Sequence, residues 1–322
     1  MHIAILTGGI SSERDVAIRS AENMKDWIRI AGHTSETFDF PSDIHHFLQR
    51  HQASVLAKYF PTKNLKKHLD SHQDFDLVIP MFHGMYGEDG QITAFLDTLG
   101  YKYAYSPFAV HSLCLDKYQT NLFVSEMRIK IPETYFIPQG EPDKIQHSLL
   151  YLNSFPYIVK PNRWGSSIAT NKVKSETELT DACSLIVDDD ILIQECIEGR
   201  EFTVGVYLDS QGYHSLPIIE IKTLHQDFFD YTEKYQTDGS NEVFLEWEND
   251  LQKELGLISE AIAKMLHCRG VVRIDYRYDG KDIYFLEVNT IPGFTNASLV
   301  PKMWKKLWKN EKEFVEMLMS NN

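Results

Sequence analysis

Residues 271–293 read VVRIDYRYDGKDIYFLEVNTIPG. Two runs rich in β-branched and aromatic residues meet at Asp279-Gly280, the signal of a β-hairpin. The alternation on either side of the turn decides the reading. Arg273, Asp275, Glu287 and Asn289 alternate with Ile274, Tyr276, Leu286 and Val288. Strand side chains point to opposite faces in turn, so a turn of odd length gathers the four polar groups on one face. Like charges on neighbouring strands repel, and Asp and Glu are poor strand formers. The patch is therefore either a solvated face or a site for something positive. Hard divalent cations take oxygen ligands, and Mg2+ is commonly held by one or two carboxylates together with phosphate oxygens. Asp275, Glu287 and the amide oxygen of Asn289 have that chemistry. Arg273 beside them calls for an anion of its own, a phosphate or a developing oxyanion. The TIPG that follows Asn289 adds backbone amides at the same edge.

Upstream segments offer cations and donors for such a phosphate. In VKPNRWGSS, Lys160 closes a strand, and Gly165-Ser166-Ser167 forms a loop whose successive amides can make an anion-binding concavity. An ordinary tight turn has the same composition. Lys117, alone in LDKYQ, reads equally as solvated surface. QECIEGREF suits a hinge whose free backbone edge meets an adenine, with Glu201 accepting from ribose hydroxyls; a plain hairpin fits the same letters.

The chain of 322 residues is long enough for two or three domains. Its formal charge, 32 − 46 = −14, excludes broad nucleic-acid or anionic-membrane binding but not a small phosphorylated ligand. Cys114, Cys183, Cys196 and Cys268 show no metal-ligand spacing and read as reduced thiols. MHIAILTGG lacks the features of a signal peptide and no run has the length of a membrane span, so a cytoplasmic location is expected. HIAILTGG and DLVIPMFHG read as buried strands, each followed by a helical pattern, which predicts a parallel α/β layer. LQKELGLISEAIAKMLH reads as a helix, and residues 223–242 have the composition of a mobile loop. Boundaries are set at 1–105, 106–195 and 196–322.

In order and over nearly the whole chain, these segments resemble the D-alanine–D-alanine ligases of the ATP-grasp superfamily. The matching stretches are GGISSERDV, HGMYGEDG, LDKYQT, VKPNRWGSS, EGREFTV, FDYTEKY and RIDYRYDGKDIYFLEVNTIPGFTNASLVP. The resemblance implies an α/β fold with ATP-grasp architecture: an N-terminal parallel α/β domain and an α+β C-terminal part. It also implies ATP as co-substrate, Mg2+ or Mn2+ as metal, D-alanine as substrate, and a homodimer without nucleic-acid or membrane partners. By position, Lys117, Lys160 and Ser167 would contact phosphates, the backbone of Glu195, Cys196 and Ile197 the adenine, and Glu201 the ribose. Asp275, Glu287 and Asn289 would hold the metal, while Arg273 and the Gly293 amide would stabilise an oxyanion. Glu13 would hold the first substrate's ammonium, with Val16 and His83 facing the same pocket; a buried structural histidine is the competing view of His83. Ser298 and Leu299 open a helix that would bind the second substrate's carboxylate. The loop at 223–242 would close over the site, with Tyr235 bonded to Ser166 and Glu13. Relatives that join D-alanine to D-lactate replace the Lys234-Tyr235 pair, so its presence favours an amide product. A related ligase for other amino acids and a catalytically inactive ATP-binding homologue are the alternatives. A nicotinamide dehydrogenase has only LTGG behind it and lacks GxGxxG.

The family usually has Glu at Trp164, Gly at Ala169 and Tyr105, Pro at Lys102, and Ser at Ala17, and commonly carries a Pro-Ala step that VFLEWENDL lacks. Trp164 and Ala169 border the phosphate loop, and Ala17 and Tyr105 are expected near the first substrate. The tail PKMWKKLWKNEKEFVEMLM reads as one helix that docks Trp304, Leu307, Trp308 and Phe314 on the core.

Overall fold

The computed structural model describes residues 1–43, 75–141, 144–150, 154–166, 168–223, 240–245 and 250–320. Strand β1 (His2–Gly8) is buried from Ile3 onward, as befits a strand covered on both faces. Helix α1 (Arg14–Ile30) leads from it to β2 (Thr34–Phe40), burying Ala17, Ala21, Met24, Trp27 and Ile28. Gly32, at φ +83°, ends the helix, and the His33 amide reaches back to the Ile28 carbonyl at 3.1 Å. With β3 (Leu77–Pro80) these strands form a sheet of order β2-β1-β3, parallel throughout as expected. Helix α2 (Gln91–Leu99) follows.

Helices α3 (Phe108–Leu115) and α4 (Lys117–Ser125) precede a second, antiparallel sheet. It comprises β4 (Thr134–Ile137), β5 (Tyr157–Pro161), β6 (Asn171–Val173) and β7 (Ile191–Glu195), in the order β4-β7-β5-β6. Helix α5 (Lys144–Ser148) lies between β4 and β5 in sequence. Helix α6 (Glu176–Ser184) starts at Ser175, whose hydroxyl caps the Glu178 amide, and buries Leu179, Ala182 and Cys183 with Tyr157 and Val159 of the sheet.

The third sheet contains β8 (Arg200–Asp209), β9 (Gly212–Ser215), β10 (Ile219–Thr223), β11 (Ser240–Phe244), β12 (Val271–Tyr278) and β13 (Ile283–Asn289). Its path is β11-β10-β8-β12-β13, with β9 paired to β8. Helix α7 (Asp250–Met265) covers one face, and its Leu255 and Ile262 pack with Val204, Ile274 and Phe285. The same core includes Val110, Cys114 and Val124, so α3 and α4 pack against this third sheet although they come before the second in sequence. Among the described residues no helix is long and apolar enough to cross a membrane.

Two expectations need correction. The loop read at 223–242 is strand at both ends, where Thr223 pairs with Ser240 and Lys222 with Asn241; residues 224–239 lie outside the described residues. The tail is two helices, α8 (Leu299–Lys306) and α9 (Glu311–Ser320), because Asn310 and Glu313 form a capping box that starts a new helix. The Asn310 side chain accepts from the Glu313 amide at 3.0 Å, and Glu313 accepts from the Asn310 amide at 2.8 Å. Trp308 takes a left-handed φ of +59° in the break and is 95% exposed, while Trp304 and Phe314 are buried as expected.

Candidate active site

The turn between β12 and β13 is residues 279–282, four rather than an odd number. An unbroken ladder from that turn would set Leu286 opposite Asp275 and send Glu287 to the buried face. A β-bulge prevents this. The register slips between Asp275 and Tyr276, so Asp275 faces Glu287 and Arg273 faces Asn289. The four polar groups share a face because of the bulge and not because of turn length. Leu286 lines the cleft beside Asp275 and Glu287 instead of packing on the apolar side.

Scaffold partners hold this face. Arg273 pairs with Asp275 through Nε at 3.0 Å and Nη2 at 2.9 Å, so Asp275 itself supplies an anion for the guanidinium. Thr203, opposite Asp275 on β8, donates to Oδ1 at 2.6 Å. Asn289 donates Nδ2 to Asp275 Oδ2 at 3.2 Å, which leaves Oδ1 as the acceptor end of its amide. Glu287 faces the Lys117 ammonium at 3.4 Å. Two carboxylates and an amide oxygen in successive register pairs of one face are the hard donors magnesium takes. Among the described residues no group of three His, Cys, Asp or Glu forms a metal cluster. Two carboxylates and one amide oxygen are fewer donors than a six-coordinate ion takes, which leaves the remaining positions to phosphate and water.

A cleft of about 620 Å3 opens in front of this face. It is lined by Lys117, Lys160, Glu195, Cys196, Ile197 and Glu201, and also by Ser166, Asp275 and Glu287. Lys117 is buried at the start of α4, where Asp116 caps the helix by accepting from the Gln119 amide at 3.0 Å. Its ammonium donates to the Trp164 carbonyl at 2.7 Å and to the Asn162 carbonyl at 3.4 Å. Asn162 also accepts from the Tyr118 amide at 2.9 Å, tying the helix start to the loop after β5. In that loop Ser166 and Ala169 have φ of +55° and +53°. Tyr105 is likewise left-handed, at +74°. Ala169 and Tyr105 are two positions where the resemblance leads to an expectation of Gly, and glycine adopts such angles without steric cost. Ser167 lies outside the described residues.

The hinge between β7 and β8 passes through Gly199, at φ +135°, where a Cβ would stand 2.1 Å from the Tyr278 carbonyl oxygen. Only glycine lets the turn lie this close to β12. Glu201 is paired with Arg277 at 2.9 Å, its neighbour in the β8–β12 register.

At its far end the loop after β5 meets the N-terminal layer. The Ser166 hydroxyl donates to Glu13 Oε1 across 153 residues of sequence. A Cβ on Gly165 would stand 2.9 Å from Glu13 Oε2, so a larger residue there would make the Glu13 carboxylate shift. Val16 is half-buried in the first turn of α1, its amide bonded to the Glu13 carbonyl at 2.9 Å. His83 is buried, with Nδ1 3.0 Å from the Ile291 carbonyl and Nε2 3.1 Å from the Ser20 hydroxyl. A carbonyl can only accept, so Nδ1 carries the proton; burial lowers the pKa, and the ring is neutral. Ser20 in turn accepts from the Phe294 amide at 3.0 Å, bracing the 291–294 segment that contains Gly293. Ser298 begins α8, with its hydroxyl accepting from the Thr295 amide at 3.0 Å, and Leu299 is the first helical residue. Lys234 and Tyr235 lie outside the described residues. Ala17 and Tyr105 do not line the cleft: both are buried, and Tyr105 packs in the hydrophobic core with Met81.

Thr203, Asn162, Arg277 and Glu88 belong to this site as well. Thr203 shares a strand face with Glu201, two positions away, and alternation alone would have found it. Asn162, Arg277 and Glu88 carry no such signal. Glu88 accepts from the Gly84 amide at 2.9 Å. Burial, followed by the charge of Glu13, pushes its carboxyl up to about 7.

Comparison with known proteins places the whole chain beside one family. The family model described as D-ala D-ala ligase N-terminus matches residues 2–106, and D-ala D-ala ligase C-terminus matches residues 129–320. A D-alanine–D-alanine ligase of Thermotoga petrophila is 32% identical over 326 residues, covering 100% of this chain and 97% of that protein. The crystal structure of a Bacillus anthracis D-alanine–D-alanine ligase superposes with a TM-score of 0.79 at 26% identity, covering 100% of this chain and 97% of the other. A D-Ala:D-Ser ligase from Enterococcus faecalis shares the fold, with a TM-score of 0.79 at 24% identity, covering 99% of this chain and 98% of that one.

Proposed function

The chain belongs to the D-alanine–D-alanine ligase family, and from that premise we propose that it joins two D-alanines at the expense of ATP, supplying a peptidoglycan precursor. The observation that carries this reading is the double membership of Ser166. The residue lines the cleft that contains Lys117, Lys160 and Asp275, and it also bonds Glu13 of the N-terminal layer. A phosphoryl donor in the cleft and an amino acid at Glu13 then meet at one loop.

The γ-phosphoryl group of ATP passes to the carboxylate of the first D-alanine, and ADP leaves. The amine of the second D-alanine attacks the acyl phosphate, loses a proton, and the tetrahedral intermediate expels phosphate to leave the peptide bond. Phosphoryl transfer of this kind depends on positioning and charge neutralisation. Lys117 and Lys160 serve the phosphates, the backbone of Glu195, Cys196 and Ile197 the base, and Glu201 the ribose. Glu13 takes the first ammonium, and Ser298 with Leu299 takes the second carboxylate at a helix N-terminus. Arg273 and the Gly293 amide face the oxyanion. Asp275, Glu287 and Asn289 would hold magnesium, which when bound neutralises phosphate charge. We extend the proposal to domains at 1–105, 106–195 and 196–322, to a homodimer and to a cytoplasmic location, where ATP is available.

The test is ADP and phosphate release with D-alanine, D-serine, D-lactate and L-amino acids, with mass spectrometry of the product. D-alanyl-D-alanine from D-alanine alone is expected. Turnover only with another pair would overturn the substrate. ATP binding without ADP release for every pair would reduce the chain to a nucleotide-binding homologue.

A further inference from the structure

We propose that Arg277 forms a wall of the base pocket and sets nucleotide affinity and purine selectivity, an assignment that rests on the reading of this cleft as an ATP site. Arg277 follows Asp275 by two positions on β12 and so shares its face. It lines the cleft together with Ile158, Leu286 and the hinge residues Glu195, Cys196 and Ile197. Its side chain is 18% exposed and is held at two points: Nη2 pairs with Glu201 at 2.9 Å, and Nη1 donates to the Gly199 carbonyl at 3.2 Å.

Arg277 is more than one half of a surface ion pair. First, both ties use donors in the guanidinium plane. They fix the orientation of a flat, weakly hydrated cation whose faces can stack on an aromatic ring. Second, the Gly199 tie lies where the hinge turn presses on β12, with no room for a Cβ between them. Arg277 thus sets the distance between the base-reading edge after β7 and the sheet that carries Asp275. Third, Glu195, Glu198, Glu201 and Glu220 all line the cleft. Glu201 beside a polyphosphate would repel it, and Arg277 neutralises that carboxylate without removing its capacity to accept hydrogen bonds from hydroxyls. An isolated ion pair at the surface would contribute little; a tethered plane at a base pocket has a function a point charge cannot replace.

The test uses the full chain with Arg277→Ala and Arg277→Lys. Calorimetric titration with MgATP and with ADP is read beside KM, kcat and melting temperature, and CTP is compared with ATP. Arg277→Ala is expected to weaken ATP binding and raise the KM for ATP roughly tenfold. In the same variant kcat falls far less than KM rises, the KM for D-alanine does not move, and the preference for ATP over CTP narrows. Arg277→Lys is expected to recover melting temperature but not affinity or selectivity, because it restores charge without a plane. An alanine variant with wild-type ATP affinity and selectivity, whatever its melting temperature, overturns the assignment. Full recovery by lysine also overturns it, since charge alone would then suffice. A wild-type chain that binds neither ATP nor ADP would instead bring down the ATP reading itself and this assignment with it.

Discussion

On the proposed nucleotide side of the site, Asp275, Glu201 and Glu287 face Arg273, Arg277 and Lys117 at 2.9, 2.9 and 3.4 Å. On the amino-acid side, Glu13 and Glu88 share a region with a neutral histidine, and Glu88 is pushed up to about 7 by burial and by Glu13. The first region is built on strands β8, β12 and β13 and the first turn of α4, and its charges are matched within the scaffold. The second is assembled from the start of α1, the segment after β3 and the phosphate loop, and its negative charge works against itself. A matched region is ready for an anion that brings its own counter-ion. A strained negative region gains most from a ligand that brings an ammonium.

Asp275→Asn should break the first region most severely. It removes the charge that Arg273, Thr203 and Asn289 converge on, and kcat should fall about 100- to 1,000-fold while the protein stays folded. Full turnover in a folded variant would reduce the hairpin face to a solvated surface.

The next largest effect concerns stability on the amino-acid side. A carboxyl with a raised folded-state pKa contributes stability that is present below its unfolded pKa, near 4.5, and lost as pH rises toward about 7. Glu88→Gln removes that loss. Denaturant unfolding should show the variant more stable than wild type at pH 8, by on the order of 2–3 kcal/mol, with the difference vanishing near pH 4. Parallel pH profiles for the two proteins would mean that Glu88 titrates normally and that the contrast between the two sides is overstated.

Glu13→Gln separates the sides kinetically. It keeps an acceptor for Ser166 but loses the charge facing the ammonium, so the KM for D-alanine should rise roughly tenfold while the KM for ATP stays constant. A rise in both would show the two sides to be one electrostatic unit. The smallest effect is expected at Ala169, whose φ of +53° disfavours a Cβ. Ala169→Gly should raise stability by up to about 1 kcal/mol, read from the unfolding midpoint. A loss of stability would mean that the loop depends on the alanine methyl.

Local periodicity made the strands and the polar face of the hairpin legible. Alternation over 271–278 and 283–289 depends only on neighbouring residues, and the parallel N-terminal layer was readable from buried-type strands followed by helical patterns. The bulge at Leu286 was not readable, because register depends on turn length and on which strand pairs with which. Contacts that join the site were also beyond a linear reading. Ser166 and Glu13 are 153 residues apart, and Lys117 reaches Glu287 only because α4 packs on the third sheet. The tail is a different case. Asn310 and Glu313 stand at capping-box spacing, and helical periodicity on either side concealed a break that this local chemistry announces.

In the proposed site the bulged face of β12 and β13 holds a divalent cation that carries a nucleotide's phosphates. Crystals grown with a non-hydrolysable ATP analogue and Mn2+ in place of Mg2+ test it most directly, through anomalous scattering from the metal. The account predicts a manganese peak bonded to oxygens of Asp275, Glu287 and Asn289 and to the analogue's phosphates. A peak elsewhere on the chain, with the nucleotide bound and those three side chains unoccupied, would contradict it.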